Sequence, residues 1–164
     1  MRSGFLILFA LLAASCGKLR QEEWPAHLVE FKGFSADQQQ QLTSFATELN
    51  SRTQRTVLDT NSNADKGYPI YLELVDPPST EPQRAGYAIR EPERCTIQLS
   101  RFLFTPEKED FRKSVFLHEV GHCGGLEHVS DKADLMYSKT AKWSSYDASH
   151  LTIFFNKIIA IVDK

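Results

Sequence analysis

Residues 118–128 read His118-Glu119-Val120-Gly121-His122-Cys123-Gly124-Gly125-Leu126-Glu127-His128, and few folds can carry such a segment. Two histidines four apart on a helix lie one turn apart on one face, so they can grip a single metal ion from the same side. Glu119 adjoins the first of them and can reach a metal-held water without ligating the metal. A helix cannot bend back on itself, so a third ligand has to come from beyond its end. Gly125 supplies the break, because glycine takes a left-handed backbone conformation cheaply. The chain can then reverse and present His128. With five histidines in 164 residues, the two-histidine motif alone arises by chance in roughly one such chain per hundred. Adding Gly125 and His128 lowers that to roughly one in sixty thousand, which sets aside incidental surface histidines.

The rest of the chain has to supply the scaffold that holds this helix. Its length suits one compact domain. The apolar fraction of 41% supports a buried core. A net charge of -2 without a basic block or aromatic-basic stripe excludes nucleic acid as a partner class. Residues 1–15 form an export signal. Arg2 is followed by an apolar run from Phe5 to Leu12 and by small residues up to Cys16, a stretch too short to span a membrane. Cys16 suits lipidation, which would hold the mature chain to a bacterial membrane facing the periplasm or exterior. A secreted soluble protein with a free Cys16 is the alternative. Residues 16–25 are a polar tether, and 26–164 the folded domain.

Along that domain, His27 to Phe31 alternates weakly as a first strand. Ser35 caps a helix running to about Arg52, with Phe34 placed to staple onto its first turn and Leu42, Phe45, Ala46 and Leu49 on one face. Val57 to Thr60 is a short second strand, Asn61 to Gly67 a polar turn, and Ile70 to Val75 a third strand stopped by Pro77-Pro78. Two further strands, Ala85 to Arg90 and Cys95 to Ser100, join around Pro92. Thr105-Pro106-Glu107 opens the motif helix, which stops near Gly124-Gly125. A last helix from about Asp147 to Val162 has Leu151, Phe154, Phe155, Ile158, Ile159 and Val162 as its apolar face. The reading is an α+β single domain: a mixed twisted sheet with an antiparallel edge strand, an active-site helix and a C-terminal helix.

The extended motif resembles that of the metzincins, zinc peptidases in which HExxHxxGxxH precedes a methionine-containing turn. Asp134-Leu135-Met136-Tyr137 looks like that turn. Met136 lies eight residues after His128 and Asp131 three after it, spacings similar to the matrixin branch, although Ser138 replaces the usual proline. The element order is similar too. The resemblance implies a zincin-like fold and one catalytic zinc on His118, His122 and His128. It implies Glu119 as general base and Met136, with Tyr137, as a floor under the metal. Gly86, Tyr87, Ala88 and Ile89 would form an edge strand that pairs with an extended peptide substrate. Residues from Ser138 to Tyr146 would wall the pocket beyond the scissile bond. His27 and His150 are ordinary surface or core histidines.

The expected activity is therefore metal-assisted hydrolysis of a peptide or protein by a monomer. A zinc-stabilised binding lipoprotein without turnover would have no use for Glu119. Hydrolysis of peptidoglycan cross-link peptides is a further alternative that the sequence does not separate from proteolysis. Cys123 points about 100° away from the ligand face, and Cys95 shares an apolar strand face with Ile97 and Leu99. The two either form a disulfide or remain buried thiols.

Overall fold

The computed structural model describes residues 26–60, 67–139 and 148–162. The export signal, Cys16 and the tether lie outside these residues, as does most of the expected pocket wall. Five strands form one mixed sheet: β1 (Ala26–Lys32), β2 (Leu58–Asp59), β3 (Tyr68–Val75), β4 (Gly86–Arg90) and β5 (Cys95–Ser100). Their spatial order is β2-β1-β3-β5-β4. All neighbours run parallel except β4, which is antiparallel to β5 and leaves one side of itself unpaired at the sheet edge.

Strict alternation explains the sheet's two faces. In β3, Tyr68, Ile70, Leu72 and Leu74 are buried while the residues between them are half-buried. Cys95, Ile97 and Leu99 of β5 continue the buried face. Its strands are thus dry on one side only, as period-two patterning requires. The connection between the parallel strands β1 and β2 is helix α1 (Ala36–Thr53), the crossover such pairs need. Its start is a capping box: the Ser35 hydroxyl accepts from the Gln38 N–H, and the Gln38 side chain accepts from the Ser35 N–H. The expected staple from Phe34 does not form. The residue one turn in is polar Gln39, and the Phe34 ring instead meets Phe31 and Phe104 edge-on. At the other end, the Asn50 side chain bonds the backbone of Val57 and Leu58 and so fixes β2 to α1.

Helix α2 (Glu109–Cys123) carries the motif. It begins later than expected. Pro106–Lys108 forms a 3-10 turn first, and the Thr105 hydroxyl bonds Glu107's side chain rather than capping the helix. Most of α2 from Arg112 onward is buried. It passes beside β4 and β5 and meets α1 through Phe45 and Phe116, whose rings lie 6.4 Å apart. Helix α3 (Ala148–Val162) closes the core with Leu151, Phe154, Phe155 and Ile158, whereas Ile159 is half-buried and Ile153 exposed. No helix among the described residues is long and apolar enough to cross a membrane.

Candidate metal centre

The chain leaves α2 through Gly124 and reverses at Gly125, where φ is +86°. A side chain there would be strained, and its Cβ would lie 2.8 Å from the Arg90 guanidinium. The Leu126 N–H returns to the Gly121 carbonyl, closing the turn. Two residues further on, His128 faces back toward the helix.

The reversal brings three imidazoles together. The Nε2 atoms of His118, His122 and His128 form a triangle with sides of 3.0, 3.1 and 3.2 Å. His118 Nδ1 donates to the Leu135 carbonyl at 2.5 Å and His122 Nδ1 to the Leu126 carbonyl at 2.8 Å. A neutral imidazole has one N–H, so these bonds leave the Nε2 of both residues as bare acceptors. Acceptors crowded at such distances repel unless a cation lies among them. The donor set fits zinc. Three neutral imidazole nitrogens converging on one point are the ligands that a catalytic zinc would take, and they would hold the ion here. Carbonyl-fixed imidazoles of this kind are what orients metal ligands. Burial pulls the His118 pKa down to about 4 and lowers that of His122 as well, keeping both in the form that binds metal.

Glu119 is buried beside this group. Desolvation holds its carboxyl up at about 8 in the metal-free site, against the Ala88 N–H it accepts and nearby Arg84, which both pull it down. That hydrogen bond fixes the orientation of the edge strand. The Ser100 N–H bonds the Ala85 carbonyl and the Glu91 N–H the Arg94 carbonyl, so odd-numbered residues of β4 face β5. Gly86, Ala88 and Arg90 turn their backbone groups outward. Gly86 also allows close approach, since a Cβ there would be 2.7 Å from Val115 Cγ1 and 2.9 Å from Glu119 Oε1. Tyr87 and Ile89 point to the opposite, exposed face of the sheet. The Tyr68 hydroxyl, 2.5 Å from the carbonyls of Glu91 and Arg94, anchors the turn after β4.

Met136 is fully buried beneath the helix, and its sulfur occupies the space that a side chain at Gly121 would take, 2.5 Å from the ideal Cβ. The turn that delivers it is held from three sides. The Val129 N–H donates to the Met136 carbonyl, and Asp131 accepts from Ala133. Buried Asp134 accepts the Met136 N–H at 2.8 Å and pairs with Lys157 of α3 at 2.5 Å. Tyr137 donates its N–H to the Asp134 carbonyl and bridges to Val129. Cys95 and Cys123 form a disulfide that ties the end of α2, one residue past His122, to β5.

Several of these residues escape a sequence reading. Gly121 has a local signal, a glycine inside a helical run. Arg84, Arg90 and Lys157 have none, because nothing near them in sequence shows what they approach.

A groove of about 910 Å³ runs between β4 and the loop after α2, lined by Gly86, Ala88, Glu119 and the three histidines. The fold of this chain is similar to that of an archaemetzincin. The archaemetzincin from Methanopyrus kandleri superposes with a TM-score of 0.59 at 12% identity, over 85% of this chain and 95% of that one. No family model and no curated protein sequence matches the chain. The similarity therefore lies in the fold, an α/β domain built on a mixed sheet with flanking helices.

Proposed function

We propose that this protein is a zinc metalloendopeptidase of the metzincin type. The observation that carries the reading is the Nε2 triangle, with Glu119 buried at its side and an unpaired strand edge along the same groove. The archaemetzincin fold supports it. So do the matrixin-like spacings of Asp131 and Met136 after His128.

His118, His122 and His128 would hold the ion, which when bound acidifies water and polarises a carbonyl. An extended peptide lies along β4 and takes up the outward backbone groups of Gly86 and Arg90 and the Ala88 carbonyl, the Ala88 N–H being held by Glu119. Glu119 takes the proton of the attacking water and passes it to the leaving amine. Its desolvated carboxyl is suited to holding a proton between those two steps. Met136, packed under Gly121, fixes the helix and the Leu135 carbonyl that orients His118. The export signal and a lipid on Cys16 belong to the same proposal, and detergent-phase partitioning lost on Cys16→Ser checks them.

The test compares two variants. His122→Ala should lose zinc by metal analysis. Glu119→Gln should keep zinc and fold yet lose hydrolysis of a mixed peptide library by at least about a hundredfold. Cleavage by Glu119→Gln at the wild-type rate would overturn the assignment of the base. Full zinc retention by His122→Ala would overturn the ligand set. A zinc-bound wild type that cleaves no peptide would return the reading to a binding protein.

A further inference from the structure

We infer that Arg90 is a specificity residue that selects an acidic side chain on the substrate, about two positions before the scissile bond. The inference rests on the peptidase reading for its setting and on separate observations for its content. Arg90 closes β4 on the same face as Gly86 and Ala88, the face turned toward α2. Its guanidinium lies flat over Gly125. The ideal Cβ of that glycine would stand 2.8 Å from Nη1 and 3.1 Å from both Cζ and Nη2. The group thus sits inside the groove, at the chain reversal between His122 and His128.

Arg90 makes no ion pair or hydrogen bond with any described residue, unlike the neighbouring cation. Arg84 pairs with Glu81 at 2.5 Å and stacks on the Tyr87 ring. With that pair cancelled, the groove walls carry Arg90 and Lys139 against Glu127 and Glu119. Glu119 is engaged by the Ala88 N–H, and Arg90 is placed with its planar fork of donors unused. Such a fork binds a carboxylate through two parallel hydrogen bonds.

The strand register supplies the position. Ala88 is the residue whose outward N–H meets Glu119, so it marks the level of the reacting bond. Arg90 is two residues further along, about 7 Å at the rise of a strand. A peptide added antiparallel to β4 runs the other way, so the residue opposite Arg90 precedes the scissile bond by about two. Arg90 is exposed, which limits the gain to that of a well-formed surface ion pair, roughly fivefold, and makes it fall with added salt.

The experiment takes a peptide cleaved by the zinc-loaded full chain and varies the second residue before the cut among Glu, Gln and Lys. Wild type should show kcat/KM about fivefold higher for Glu than for Gln at low ionic strength, shrinking toward parity in 0.5 M salt. Arg90→Gln should abolish the Glu-to-Gln ratio, and Arg90→Glu should invert the preference toward Lys. A ratio unchanged in Arg90→Gln, or no Glu preference in wild type, would overturn the inference. If no peptide is cleaved, the peptidase reading fails and the inference is decided by binding instead. Fluorescein-labelled Glu and Gln peptides should then differ about fivefold in Kd by anisotropy, and lose that difference in Arg90→Gln. Equal affinities for wild type would reject it.

Discussion

Two glycines show how single side-chain positions shape the site through what they omit. Replacing Gly121 by Ala would remove a helix-interior glycine, worth up to about 1 kcal/mol in helix propensity. Yet the new Cβ would stand 2.5 Å from the Met136 sulfur and 3.2 Å from Phe154 Cε2, and both side chains are fully buried. Overpacking of this kind costs about 1–3 kcal/mol, so the loss wins. Because the Met136 turn also carries the Leu135 carbonyl that holds His118, Gly121→Ala should lower both stability and zinc affinity. Urea unfolding and competition with a zinc chelator measure the two; a variant as stable and as tight as wild type would refute the close contact. Gly86→Ala is expected to act differently. Its Cβ meets Val115 and the Glu119 carboxylate, not a ligand. It should leave zinc content unchanged and reduce kcat roughly tenfold or more, since small misplacements of a reacting group are costly. Zinc loss without a fall in kcat per bound zinc would contradict that placement.

Among the elements, α2 depends most on its attachments. The Cys95–Cys123 disulfide joins its last residue to β5 across 28 positions of sequence. Closing a loop of that length stabilises a fold by about 3–4 kcal/mol in the chain-entropy account. Denatured, unreduced Cys16→Ser protein should therefore show no titratable thiol, and Cys95→Ala/Cys123→Ala should unfold at clearly lower denaturant. Two free thiols would disprove the bond. The sequence made the elements themselves legible because each has a strong local period. The alternation of Ile70–Val75 marks β3, and the apolar stripe through Phe154 and Ile158 marks α3. The histidine triangle was legible because the helix fixes His118 and His122 and Gly125 dictates the reversal to His128. What remained hidden depends on contacts between distant segments. Nothing around Arg90 points to Gly125, and nothing around Lys157 points to Asp134. Phe34 reads locally as a staple but finds better aromatic partners in Phe31 and Phe104. The late start of α2 is similar: the Thr105 hydroxyl has a cap's chemistry but bonds the nearer Glu107 carboxylate.

At the scale of the whole molecule, the burial of His118, His122 and Glu119 couples their protons to folding. In the metal-free fold, burial lowers the His118 pKa from 6.5 to about 4, and that of His122 moves the same way. The unfolded chain then binds more protons than the fold between those values, so these groups make stability rise with pH up to about 6.5. Glu119 has the opposite sign. Burial raises its pKa from 4.5 to about 8, so the fold holds a proton that the unfolded chain has released, and stability falls with pH across that window. The two effects oppose one another below pH 6.5, and above it only Glu119 acts. Metal-free protein should therefore lose stability from pH 6.5 to 8, with a slope of up to about 1.4 kcal/mol per pH unit for one group. A dication beside Glu119 favours the ionised carboxylate and removes that slope. Acid then works against the metal-bound form, since protons compete for the three histidines. Urea titrations at pH 6.5, 7.2 and 8.0, with and without chelator, should show a falling series only in the metal-free protein. The Glu119→Gln variant, which has no proton to lose there, should show no such fall with or without chelator. A metal-free wild type that holds its stability to pH 8, or a Glu119→Gln variant that declines alongside it, would show that Glu119 is not the group setting the slope.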